Sequence, residues 1–333
     1  MDLELTDDQS ALVDAFGGFF EKECPPSTVR RAEPLGHDPA LWHKAVELGV
    51  PMMATAESVG GGGASMSDLG LVAELVGRHL APIPFVETSI AARLLARADA
   101  RGPLARAHGG EVITFAVRPA VEGVARLVPA GAIASGVVAA VDGALVLVTG
   151  DAPAMANMAS MPWADRPVAG DVEVIARGDE ATRLRHLAVT DWQVLAASVL
   201  SGIATRALEI GTAYAKQREQ FDKPLAAFQS IAHRLADDAT DVQGLQLLAR
   251  KAAWAVDHDP ASADRLSAMA YLWGGEIANR VTGNSLHVHG GYGFMLEYDI
   301  QLHYRRAKAW SVVAGDPRAG YAQLGTELFG SRR

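Results

Sequence analysis

Tyr214-Ala-Lys-Gln-Arg-Glu-Gln-Phe-Asp-Lys-Pro-Leu-Ala-Ala-Phe-Gln-Ser-Ile-Ala-His-Arg-Leu-Ala-Asp237 joins two long helical patterns, with Lys223-Pro224 ending one and starting the next. It brings Arg218, Gln220, Phe221, Phe228 and Gln229 close together in the chain. A cation, two amides and two rings at one corner suit a flat, anionic ligand; the same spacing also fits an ordinary helix-turn-helix with a polar corner. Upstream, Thr190 and Gln193 have the spacing of a capping box and predict a helix from there to about Gln217. Downstream, Phe228, Ile231, Leu235, Val242, Leu245, Leu248 and Ala252 recur at helical spacing. Asp259-Pro260 opens a third helix, faced by Leu266, Met269, Trp273, Ile277 and Val281. Three long apolar-faced helices joined by short turns predict an antiparallel bundle.

The N-terminal hundred residues are also helical in pattern. Thr6 is placed to cap a helix whose apolar face is Leu12, Val13, Phe16, Phe19 and Phe20, and Pro25-Pro26 stops it. Leu41, Trp42, Ala45 and Leu48 share the face of a second helix, with Gly49 suited to its C-cap. Gly60-Gly-Gly-Gly63 has no strand before it and no Gly-Lys-Ser/Thr after it, which favours a loop between helices over a phosphate loop. Between about 110 and 178 the segments become short and β-branched: Glu111–Val117, Gly123–Val128, Gly136–Val148 and Asp171–Arg177. Asp142-Gly143, flanked by apolar runs, predicts a two-residue hairpin turn. The expectation is an α+β chain with a small antiparallel β domain between helical halves, divided as 1–108, 109–186 and 187–333.

The 333 residues are 49% hydrophobic and 21% charged, a globular composition with length for a substantial core. A net charge of −9 disfavours general electrostatic binding to nucleic acid, although Arg305-Arg306-Ala-Lys308 is a local basic spot for a small anion. The single cysteine, Cys24, cannot form an internal disulfide framework or a thiolate metal site, so no metal is expected. The acidic start Met1-Asp-Leu-Glu-Leu-Thr lacks the features of a signal peptide, and no window has 18 uninterrupted apolar residues. A cytoplasmic location without a membrane span is the expectation.

Leu286-His-Val-His-Gly-Gly-Tyr-Gly-Phe294 and Glu297-Tyr-Asp-Ile-Gln-Leu-His-Tyr-Arg-Arg-Ala-Lys308, with Arg218-Glu-Gln-Phe and Phe228-Gln-Ser-Ile-Ala-His233, resemble the acyl-CoA dehydrogenase family. Leu41-Trp with Leu48-Gly49, Glu57-Ser-Val-Gly-Gly-Gly and Glu74-Leu-Val-Gly-Arg-His-Leu-Ala-Pro82 resemble its N-terminal domain. The resemblance implies a helical domain, a middle β domain and a C-terminal four-helix bundle. It also implies FAD-binding roles for Arg218, Gln220, Phe221, Phe228, Gln229, His287, Gly290 and Gly291, toward a cofactor of the neighbouring subunit. Guanidinium pairs with pyrophosphate, rings cover flat heterocycles, and glycines allow close backbone approach. His287 stands where many members have glutamine.

Two departures from the family pattern qualify this. The Thr-Glu-Pro…Gly-Ser-Asp segment that holds the flavin ring is replaced by Ile113-Thr-Phe-Ala-Val-Arg-Pro119, and the β domain is short. The glutamate that removes the α-proton is absent from both of its family positions, which fall on Val313-Ala314-Gly315 and on or near Trp192. Asp191 and Asp316 lie nearby, but an offset of one or two residues turns a helical side chain by about 100–200°, which favours capping or loop roles. These deficits resemble the short subunit of heteromeric α2β2 actinobacterial acyl-CoA dehydrogenases acting on steroid side chains. A larger homologous partner would then supply the glutamate and the flavin-ring segment, and an electron-transferring flavoprotein would be the acceptor. Two readings stand beside it: a self-sufficient homomeric enzyme using Asp191 or Asp316 as base, and a non-catalytic structural or regulatory subunit.

Overall fold

The computed structural model describes residues 4–170 and 172–330. Met1–Leu3 and Asp171, which figure in the expected acidic start and the last expected strand, lie outside the described residues. Helix α1 (Asp7–Glu23) begins as its sequence dictates: Thr6 accepts from the Gln9 N–H, and the Gln9 side chain accepts from the Thr6 N–H. Helices α2 (Pro26–Ala32), α3 (Pro39–Glu47), α4 (Val50–Met53), α5 (Met66–His79), α6 (Phe85–Arg97) and α7 (Arg101–His108) complete the N-terminal part. Gly60–Gly63 is a loop between helices, as expected.

The chain then forms β1 (Ile113–Phe115), β2 (Val124–Val128), β3 (Gly136–Val141), β4 (Ala144–Thr149), β5 (Ala164–Pro167) and β6 (Val172–Arg177). One sheet has the order β1-β3-β4-β6, and β2 pairs with β5 beside it. Asp142 and Gly143 both take positive φ, 47° and 73°, and close the β3–β4 hairpin with Val141 opposite Ala144. The expected all-antiparallel arrangement needs one correction, because β1 runs parallel to β3. The segment between them includes β2 and is long enough for a crossover, which a parallel pair requires.

The C-terminal part is built on α8 (Gly178–Gln217), whose 40 residues span about 60 Å. It is followed by a short hairpin, β7 (Glu219–Gln220) and β8 (Lys223–Pro224), and then by α9 (Gln229–His258), α10 (Pro260–Val288), α11 (Ile300–Trp310) and α12 (Pro317–Phe329). Helix α8 starts directly after β6, not at Thr190, and residue 187 falls inside it. Thr190 therefore has no helix end to cap; its hydroxyl donates to Asp264 Oδ1 on α10 at 2.6 Å.

Helices α5 and α8 cross with their backbones nearly touching. A Cβ at Gly77 would sit 2.0 Å from the Val199 carbonyl oxygen, and one at Gly202 would sit 1.9 Å from that of Glu74, so neither position admits a side chain. One hydrophobic cluster runs through all three parts, from Phe20 and Leu69 through Phe115 and Leu147 to Trp192, Ile277 and Trp310. The stretch of α8 apolar enough for a membrane span is 83% buried in this core.

Candidate cofactor edge and the missing base

The sequence corner at 218–229 is a hairpin, not two helices meeting at Lys223-Pro224. Helix α8 stops at Gln217 because Arg218 turns extended (φ −78°, ψ 125°), and Phe221 and Asp222 then take left-handed φ values of 54° and 61° at the tip of the hairpin. Glu219 then pairs with Pro224 and Gln220 with Lys223. Neither Phe nor Asp is the Asn-Gly pair such turns favour, so the turn holds local strain. Its effect is to carry the Phe221 ring into solvent at 85% exposure. Phe228 lies edge-on to Phe221 with centroids 6.2 Å apart, and Lys223 Nζ is 5.3 Å from the Phe228 centroid. Gln229, the first residue of α9, is exposed.

Beside the hairpin is a cleft of about 430 Å³ between the end of α8, the start of α9 and the end of α10. Arg218, Gln220, His287, Gly290 and Gly291 line it; Phe221, Phe228 and Gln229 do not, lying on the hairpin and helix start next to it. The Arg218 guanidinium has no hydrogen bond or ion pair among the described residues, and no carboxylate lines the cleft. The Gln220 amide donates to its neighbour Glu219's carbonyl oxygen at 2.7 Å. Gly290 has φ 60°, and a Cβ at either Gly290 or Gly291 would meet nothing within 4 Å. The backbone there is open to a ligand on the cleft side.

Sequence reading missed two lining groups. Arg234 on α9 is a second cation whose side chain makes no ion pair among the described residues. His289 stacks on Tyr214 at 4.0 Å, and its Nδ1 is 2.7 Å from the Ser285 carbonyl oxygen. Burial pushes its pKa below the usual imidazole value, which keeps it neutral, with Nδ1–H donating to that oxygen. The signal was present in His287-Val-His289: two residues apart on a helix, the histidines differ in direction by about 200°, so one is exposed and one is buried.

The expected base positions hold no carboxylate. Trp192 is 1% exposed, its ring 5.0 Å from Tyr271 and 6.4 Å from Trp310, and Val313 is buried. Tyr271 also hydrogen-bonds the Trp310 carbonyl oxygen at 3.0 Å, fixing the aromatic group. The rings stand between a cavity of about 50 Å³, lined by Trp310, and a cleft of about 650 Å³ between sheet and bundle, lined by Tyr271.

Two domain models match the chain: acyl-CoA dehydrogenase N-terminal domain over residues 6–99 and acyl-CoA dehydrogenase C-terminal domain over 192–317. Acyl-CoA dehydrogenase IpdE2 of Mycolicibacterium smegmatis is 30% identical over 342 residues, covering 98% of this chain and 100% of that protein. The chain belongs to the acyl-CoA dehydrogenase family. Acyl-CoA dehydrogenase FadE27 of Mycobacterium tuberculosis is 29% identical, covering 98% of this chain and 97% of its own length. Among solved structures, the ChsE4-ChsE5 complex from Mycobacterium tuberculosis contains a chain that matches with a TM-score of 0.90 at 27% identity, covering 100% of both chains.

As a member of this family, the chain does not present Asp191 as an acyl-CoA dehydrogenase base. Asp191 is 1% exposed, and its Oδ2 lies 2.8 Å from Arg93 Nε and 2.7 Å from Arg97 Nη1 on α6. It is neither free nor a cap, but the anionic centre of a buried ion pair. Asp316 lines the larger cleft, and its Oδ1 accepts from the Arg318 N–H at 2.9 Å, capping α12 as a helix-start aspartate does. In the segment expected to stand in the place of the flavin-ring motif, the buried Thr114 hydroxyl is already engaged, donating to the Pro129 carbonyl oxygen at 2.7 Å. The cation, rings and open backbone beside the hairpin fit the pyrophosphate and aromatic edge of FAD.

Proposed function

We propose that this chain is the non-self-sufficient subunit of a heteromeric, FAD-dependent acyl-CoA dehydrogenase that forms α,β-unsaturated acyl-CoA thioesters. One observation carries the reading. An exposed, cationic, ring-bearing edge stands in the same chain as two expected base positions, on or near Trp192 and at Val313-Ala314-Gly315, that hold no carboxylate. Arg218 would hold the pyrophosphate of FAD, with Gln220 and His287 as polar neighbours and Gly290 and Gly291 allowing backbone N–H groups to approach. Phe221, Phe228 and Gln229 would meet the part of the cofactor that projects from the partner. Bound flavin supplies the acceptor for the substrate's β-hydride. This chain's residues bind and orient; the larger homologous subunit provides the glutamate and the ring-binding segment.

The likeness to a chain of the ChsE4-ChsE5 complex supports a heteromeric assembly, proposed here as α2β2. Another matching structure is that of the Tcur3481-Tcur3483 steroid ACAD. A steroid-type acyl group is proposed from the subunit type, and no pocket residue of this chain adds to it. We place the enzyme in the cytoplasm, with an electron-transferring flavoprotein as acceptor, and retain 1–108, 109–186 and 187–333 as approximate units.

The test is Arg218→Ala in the co-purified complex. Loss of one charge-assisted contact to pyrophosphate predicts about a tenfold or greater weakening of flavin affinity, with the complex still assembled. Full flavin content and full rate would leave this chain a structural or regulatory role only.

A further inference from the structure

A cleft of about 450 Å³ opens between the residues just before α1 and helices α5, α8 and α9. It shares no lining residue with the Arg218 edge or with the space between sheet and bundle. Its depth comes from small side chains: Gly70, Ser198, Ala249 and Ala253 line it where the three helices meet, and a Cβ at Gly70 would already stand 3.3 Å from Ser198 Oγ. The half-buried Trp254 indole forms part of the wall, tilted by 37° against the His258 ring with centroids 5.3 Å apart. The volume is within the range of small-molecule sites, roughly 300–1,000 Å³.

Glu74 on α5 and Arg250 on α9 line the same cleft and leave an acceptor and a donor incompletely partnered. Glu74 Oε1 accepts from the Gln246 amide at 2.9 Å, and that amide is itself held by the Thr205 hydroxyl at 3.2 Å. Glu74 Oε2 lies 4.0 Å from Arg250 Nη2, close enough for an ion pair and too far for a hydrogen bond. The Arg250 guanidinium makes no hydrogen bond among the described residues, and its Nε is buried without a partner. A buried N–H with no acceptor carries its full desolvation cost, which an incoming acceptor relieves. The two charges compensate each other, and Glu4 adds a second carboxylate to the lining, so the cleft disfavours an anion. What fits is a neutral molecule with an acceptor for Arg250 Nε, an N–H for Glu74 and a flat face for Trp254.

We propose that the cleft between α1, α5, α8 and α9 binds a neutral planar heterocycle or aromatic amide, its N–H and acceptor edge read by Glu74 and Arg250 and its ring lying against Trp254. The site stands whether or not the Arg218 edge holds FAD.

Calorimetric titration of the full chain tests this with nicotinamide, adenine and benzoate. The first two are uncharged near pH 7 and carry an N–H beside an acceptor; benzoate has the size of nicotinamide with an anionic edge. Nicotinamide or adenine is expected to bind, and benzoate about tenfold more weakly or not at all. Arg250→Lys keeps the charge opposite Glu74 and loses Nε, so it should weaken the neutral probe about fivefold. Trp254→Leu removes the flat face and should weaken it about tenfold. Glu74→Gln keeps the shape and removes the repulsion, so benzoate should gain about fivefold, a change that a purely structural role for Glu74 does not produce. Circular dichroism and the melting temperature establish that each variant is folded. No binding of either neutral probe, equal affinity for benzoate, or affinity unchanged in folded Arg250→Lys and Trp254→Leu, which would place the probe elsewhere on the chain, overturns the proposal.

Discussion

Glu87 shows what a single buried residue does to this fold. Its carboxyl, on α6, lies at the 50 Å³ cavity with no ion pair among the described residues, and burial raises its pKa from 4.5 to about 7. A raised carboxyl pKa means that the folded state holds the proton more tightly. The stability it contributes is therefore complete below about 4.5 and lost as pH rises to about 7. His303, buried on α11, acts in the opposite sense. Its pKa falls from 6.5 to about 4, so its contribution is present above 6.5 and lost on acidification. The two slopes oppose each other in the overlapping window, and wild-type stability alone hides both. Glu87→Gln separates them: its advantage over wild type should grow by roughly 3 kcal/mol between about pH 4.5 and pH 8. Urea denaturation at several pH values measures this. A difference independent of pH would show that Glu87 titrates normally.

At the scale of elements, the 219–224 hairpin is where local sequence preference gives way. Phe221 and Asp222 occupy left-handed positions that Asn and Gly fill more easily, and the exposed ring contributes little to the core. The double variant Phe221→Asn/Asp222→Gly should stabilise the chain slightly, by about 0.5–1 kcal/mol, while lowering flavin retention in the complex. Thermal melting and flavin absorbance after gel filtration report the two effects. Retained flavin would remove Phe221 from the cofactor edge.

The same scale shows what was legible in the sequence. The caps at Thr6 and Gly49, the Asp142-Gly143 turn and the long bundle helices follow from local rules and were found. The start of α8 was misplaced because Thr190 and Gln193 have cap spacing, and the bond that satisfies Thr190 comes from α10, 74 residues away. Strand β5 went unseen because it has four residues and ends in proline. The parallel β1–β3 pairing is a matter of topology and leaves no local mark. In the cleft, Arg218, Gln220, His287, Gly290 and Gly291 meet as the motifs implied. Arg234 and His289 were missed because helix phase, not composition, sets their direction.

At the scale of the molecule, the chain keeps the family fold around one main core, while the nearby carboxylates Asp191 and Asp316 are engaged in an ion pair and a helix cap. At the positions where a base was expected, Trp192 and Val313 are buried, and Asp191 is committed to Arg93 and Arg97. On the proposed function, the fold is kept without a complete catalytic site, because packing and chemistry draw on different residues. The most direct test is to purify it alone and together with the larger homologous partner proposed for it, and to compare flavin absorbance and acyl-CoA dehydrogenation. The chain alone is expected to be colourless and inactive, and the complex yellow and active. A yellow, active, homomeric preparation of the chain alone would contradict a subunit that depends on its partner.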